Sequence, residues 1–190
     1  IQRHSMKIRG KEYCKWIDNS YLMVGRAYFY KGDFDEAINT FNFVKNEYSK
    51  NEIRFEASLW LIRGYVEKGD FSSAGSELEE LLSNKKFPKK MEKELALISA
   101  DFYVRKKDFT TATSELLNAT KLIKHKRKKV RLNYILAQIY QYSNNYSLAQ
   151  KHYELVLRSN PEYEMAFNAK MNLARSLEAG NPNSKKMKEK

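Results

Sequence analysis

Cysteine is almost missing from this 190-residue sequence. Cys14 stands alone, so neither an intrachain disulfide nor a cysteine-based zinc site can form, and it reads as a small, partly buried side chain. Lys11-Glu12-Tyr13 precedes it instead of an apolar segment, so it is not a lipid-attachment cysteine. Glycine (7) and proline (3) are too scarce for a turn-dense β-sandwich. No run of 18 apolar residues occurs, and no charged, apolar, small-residue leader opens the chain, so nothing in it reads as a membrane span or an export signal. The sequence begins at Ile1 rather than Met, which reads as a fragment or a processed product.

Catalytic signatures are missing as well. His4, His125 and His152 are far apart, and no histidine pair has the i, i+4 spacing of a metal site. There is no glycine loop to cradle phosphate, no Gly-x-Ser-x-Gly elbow and no isolated acidic pair in an apolar setting. The sequence therefore predicts no enzyme, no metal and no cofactor. His152 is expected on the exposed side of a helix.

What the chain does contain is 42% hydrophobic and 13% aromatic residues, in stretches rich in Leu, Ala, Glu, Lys and Tyr that favour helices. A net charge of +12 attracts anionic surfaces. Four copies of one turn then stand out: Lys31-Gly32-Asp33-Phe34, Lys68-Gly69-Asp70-Phe71, Lys106-Lys107-Asp108-Phe109 and Ser143-Asn144-Asn145-Tyr146. Three residues after each aromatic comes Ala37, Ala74, Ala112 or Ala149. Six residues before it comes Tyr28, Tyr65, Tyr103 or Tyr140.

Apolar residues recur at helical spacing on both sides of each turn, so each copy reads as two helices meeting there. Gly25, Ala100 and Ala137 in the first helices, with the four alanines of the second, allow close approach. A bulky replacement there overpacks the pair at a cost of roughly 1 to 3 kcal/mol. Gly32 and Gly69 suit a backbone position with positive φ, and Asn144 tolerates it. Lys107 fits it less well, which predicts a looser third turn. Asp33, Asp70, Asp108 and Asn145 are placed to cap the second helices.

These residues resemble the tetratricopeptide repeat family, most closely in the fourth copy: Leu136-Ala137-x-x-Tyr140, Ala149-x-x-x-Tyr153, then Pro161. Copies two and three depart from the pattern at Ile62 and Ser99 and carry Leu78 and Leu116 in place of Phe. The period is about 37 residues rather than the family's 34. The resemblance implies an all-α fold, a right-handed α-solenoid of tandem helix-turn-helix repeats. Its expected boundaries are 18–54, 55–92, 93–129 and 130–166. Residues 1–17 read as the remnant of a preceding helix with a connector, 167–180 as the first helix of a fifth repeat or a cap, and 181–190 as a basic disordered tail. Incomplete pairs at both ends suggest a slice of a longer array.

More specifically, Ile1-Gln2-Arg3-His4-Ser5-Met6 and the segment from Trp16 to Tyr28 look like the repeat region of the SprE and PorW family of gliding-motility and type IX secretion lipoproteins of Bacteroidota. That likeness implies a periplasmic protein, held at the outer membrane by an upstream lipidated cysteine and connecting secretion and motility components.

The family generally binds partners in a groove lined by first helices. Carried over by helical phase, the groove comprises Asn19, Leu22, Arg26 and Phe29, then Glu56, Leu59, Arg63 and Val66. Glu94, Leu97, Asp101 and Val104 follow, then Arg131, Tyr134, Gln138 and Gln141. The arginines suit forked hydrogen bonds to a carboxylate and the aromatics suit anchoring contacts. Leu22, Leu59 and Leu97 equally suit packing between neighbouring repeats. The Lys and Asn arrangement with which some chaperone-binding members grip a terminal carboxylate is absent. A second surface is a basic edge of Lys85, Lys86, Lys89 and Lys90 with Lys124, Lys126, Arg127, Lys128 and Lys129, at the connections between repeats, attractive to acidic proteins or anionic lipid. Nucleic acid is the rival partner for that edge, although no recognisable nucleic-acid module accompanies it.

Overall fold

The computed structural model describes residues 16–181 and the backbone of Lys7–Ile8 and Lys11–Glu12. Among the described residues there are nine helices: α1 (Ile17–Lys31), α2 (Phe34–Glu47), α3 (Ile53–Lys68), α4 (Phe71–Ser83), α5 (Glu92–Arg105), α6 (Phe109–Leu122), α7 (Lys126–Tyr142), α8 (Tyr146–Arg158) and α9 (Tyr163–Gly180). The 3₁₀ turn Lys89–Met91 precedes α5. Ahead of α1, strands β1 (Lys7–Ile8) and β2 (Lys11–Glu12) pair antiparallel, with Lys7 opposite Glu12 and Ile8 opposite Lys11. Lys7 and Ile8 fall where the sequence reads as the tail of a preceding helix, and Lys11 and Glu12 in the connector after it. Only Arg9 and Gly10 separate the strands in sequence, a spacing typical of hairpins. His4, Cys14 and the lysine-rich segment from residue 182 lie outside the described residues.

The repeated turn has one geometry. Gly32 (φ 89°), Gly69 (φ 77°), Lys107 (φ 63°) and Asn144 (φ 58°) all occupy the left-handed region after a first helix. The next residue then reaches back in a Schellman closure, from the Asp33, Asp70 and Asn145 amides to the carbonyls of Tyr28, Tyr65 and Tyr140 at 3.0, 2.9 and 2.8 Å. In these three copies the recurring tyrosine is thus the residue whose carbonyl closes the turn.

Capping of the second helices follows the expectation in three copies. Asp70 accepts from the Ser73 amide at 3.0 Å, Asp108 from Thr111 at 3.1 Å and Asn145 from Leu148 at 3.3 Å. Asp33 makes no side-chain cap and instead binds the Lys31 ammonium at 2.6 Å. Two further acids, Asp35 and Glu36, follow it and already oppose the positive end of α2.

The chain divides into two compact units, residues 1–107 and 108–190, with the division between α5 and α6. In the first unit α2 lies between α1 and α3, and the first helices α1, α3 and α5 adjoin in series. Ala37 and Ala74 are fully buried, as are Phe41 and Leu78 four residues on. A Cβ on Gly25 would come within 2.5 Å of the Phe41 ring, so only glycine permits that contact. In the second copy the matching position holds buried Ile62, and the close approach moves to Gly64, where a Cβ would meet Ile38 at 2.9 Å. In the second unit α6 meets α7, α7 meets α8 and α8 meets α9. Ala112, Leu116, Ala137, Ala149 and Tyr153 are buried there.

Candidate interaction surface

In the first unit the expected groove residues separate into packing and surface. Leu22 (3% exposed) and Leu59 (0%) are core residues and offer a partner nothing, because α1 and α3 turn them toward neighbouring helices. Val66 is buried as well, while Leu97 and Val104 are half-buried. Asn19 is exposed. Phe29 is half-buried, its ring edge on Trp60 with centroids 5.2 Å apart.

Two arginines meet over one indole. The guanidinium carbon of Arg26 is 5.1 Å from the Trp60 ring centroid, and that of Arg63 is 4.5 Å away. Trp60 also stacks on Phe41 and takes the edges of Phe29 and Tyr30. Arg63 donates to Glu94 at 3.0 Å. Arg26 has no such acid: its Nε is buried without a hydrogen-bond partner, and its Nη1 lies 3.9 Å from the Met23 sulfur. Asp101 is held by Arg105 at 3.3 Å, and Arg105 also reaches Glu67 at 2.7 Å.

Glu56 sits beside this cluster with its pKa raised, chiefly because burial disfavours the carboxylate and secondly because Glu94 repels it. Arg26 and Lys90 pull the other way. The face of α1, α3 and α5 is therefore a strip of opposed charges around an aromatic platform. Glu94 and Asp101 are ion-paired, whereas among the described residues Arg26 has no ion pair.

In the second unit Tyr134 is half-buried, its ring 5.9 Å from that of Tyr153 and its hydroxyl accepting from Asn172 at 3.4 Å. Gln138 and Arg131 are exposed, and Gln141 accepts from the Tyr153 hydroxyl at 2.7 Å. His152, expected at the surface, is buried. It stacks on Tyr140, and its Nδ1 is 3.0 Å from the Asn133 side-chain oxygen, because that side of α8 faces α7.

The basic residues are also redistributed. Lys85, Lys86 and Lys89 are exposed in the first unit, and Lys90 binds Glu52. Lys124 precedes α7, but Lys126, Arg127, Lys128 and Lys129 form its first turn, so α7 starts four residues before the expected repeat boundary. The His125 ring caps this turn, its Nδ1 accepting from the Lys128 amide at 3.4 Å.

Trp60 is the feature that motif reading passed over. Trp60 and Arg63 are three apart on one helix, a spacing that brings side chains together. The contribution of Arg26 from another helix carries no comparable signal. Among the described residues no three His, Cys, Asp or Glu side chains are grouped to hold a metal ion, and no helix is long and apolar enough to cross a membrane.

Comparison with known proteins agrees with the helical architecture. Residues 18–42 and 130–163 match the tetratricopeptide repeat model. No curated protein matches the chain. Among solved structures it is similar to nearly identical TPR-like repeats from a Podosopora anserina chain described as a kinesin light chain, at 19% identity and a TM-score of 0.67, covering 90% of this chain and 91% of that one. It is also similar to MamA protein, at 19% identity and a TM-score of 0.60, covering 87% and 89%. Two segments of the chain thus carry the tetratricopeptide repeat, and the chain as a whole shares the helical-repeat fold of these structures.

Proposed function

We propose that this chain is a non-catalytic scaffold that holds a segment of a partner protein along the face of α1, α3 and α5. The observation that carries this reading is the Arg26–Trp60–Arg63 cluster. Arginine, tryptophan and tyrosine dominate the energetics of protein interfaces, and here Arg26 keeps an unpartnered Nε beside exposed Tyr30 and Met23. A photo-crosslinker placed at Asn19 tests it. Partner segments should be captured by the parent and lost when Arg26 and Arg63 are both changed to Ala with helicity intact. Capture that ignores both substitutions sinks the groove assignment.

The finer reading is a connector in type IX secretion and gliding motility, periplasmic and anchored at the outer membrane through an upstream lipidated cysteine. It is supported by the likeness of Ile1–Met6 and Trp16–Tyr28 to that lipoprotein family. Crosslinking with mass spectrometry in the native envelope should recover secretion or motility components; recovery of an unrelated assembly would replace this reading while leaving the scaffold role intact.

A further inference from the structure

The second unit carries a concentration of cations without an internal purpose. Lys124, Lys126, Arg127, Lys128, Lys129 and Arg131 are all exposed, and four of them form the first turn of α7. Like charges at this spacing repel, and the helix's own dipole disfavours cations at its start. The compensation is slight: Arg127 lies 4.0 Å from Glu162, with side chains 85% and 83% exposed. Against this turn opens a cleft of about 430 Å³. Lys126, Arg127 and Arg131 supply a cationic wall against a single acid, Glu162, and Val130, Pro161 and Met165 line the cleft with apolar surface.

We propose that this cleft binds an acidic segment of a partner protein, with a carboxylate on the α7 guanidiniums and a neighbouring apolar side chain against Val130, Pro161 and Met165. Planar guanidinium matches carboxylate in a two-point contact that lysine cannot reproduce. The apolar lining favours a polypeptide over other polyanions. Single-stranded nucleic acid is held by aromatic stacking, and no aromatic side chain lines the cleft. A lipid surface is gripped by apolar side chains that project outward, whereas Val130 is buried and Met165 half-buried. The assignment narrows the lysine-rich edge to one site and does not depend on the groove of α1, α3 and α5.

The test uses the full 190-residue chain and a fluorescein-labelled Glu-Leu-Glu-Leu-Glu peptide, with Gln-Leu-Gln-Leu-Gln and Glu-Gly-Glu-Gly-Glu as controls. The acidic leucine peptide should bind at least about tenfold more tightly than either control, and Arg127→Gln with Arg131→Gln should remove about that factor while Arg26→Gln changes nothing. Equal binding of the glycine peptide would reduce the site to charge attraction and overturn the proposal. So would full affinity in the double variant, or single-stranded RNA or phosphatidylserine vesicles binding more tightly through the same arginines. Loss of the peptide on Arg26→Gln alone would place it in the groove, upholding the scaffold reading and ending this one.

Discussion

At the scale of single residues, Lys107 is the clearest departure from a rule the rest of the chain obeys. A lysine in the left-handed region costs about 1 to 2 kcal/mol relative to the ordinary helical region, and glycine escapes that cost while giving back about 0.5 to 1 kcal/mol in chain flexibility. Lys107→Gly is therefore expected to raise stability by up to about 1 kcal/mol, read as a higher denaturant midpoint with an unchanged slope. A fall in midpoint would mean that the lysine side chain contributes something its backbone conformation hides. The misfit was legible in the sequence, because the other three copies hold Gly or Asn at that position. The idle cap at Asp33 was not, since it depends on which charges surround one carboxylate rather than on residue type.

At the scale of elements, α8 shows how a helix face acquires pH sensitivity. Burial depresses the His152 pKa, with Lys151 adding to the effect, so the folded state resists the proton that the unfolded chain accepts. The stability this group contributes is present above the unfolded value near 6.5 and is lost as pH falls through the lower folded value. The melting temperature should accordingly decline from about pH 6.5 downward, and His152→Gln should flatten that decline. An unchanged acid limb would show that other groups dominate. The four repeated turns and the buried alanine positions were readable from spacing alone. The start of α7 was not, because a run of lysines looks like a solvated loop until His125 supplies a cap that residue composition does not advertise.

For the whole molecule, the consequential finding is that the chain divides between α5 and α6, inside the third expected repeat. Repeat register is blind to this, since it records similarity between copies and not where packing is strong. Each unit has its own buried core, so a single unfolding transition is not assured. Leu78→Ala should cost about 2 to 5 kcal/mol and release amide protons of α3 and α4 while those of α8 keep their protection. Equal loss of protection in α8 would show that the units open together. The candidate surface was half legible: phase picked out Arg26 and Arg63, but the sealed leucines and the indole that unites the arginines required packing from several helices.

The contact of two guanidiniums with one indole has an optical consequence. The chain has two tryptophans, and Trp16 is 64% exposed whereas Trp60 is 4% exposed. Replacing Trp16 with Phe leaves a single emitter whose excited state feels the positive charge of Arg26 and Arg63 across its face. The wavelength and yield of that emission should change with Arg26→Gln and with any ligand that draws Arg26 away, making the intrinsic fluorescence of Trp60 a label-free gauge of groove occupancy.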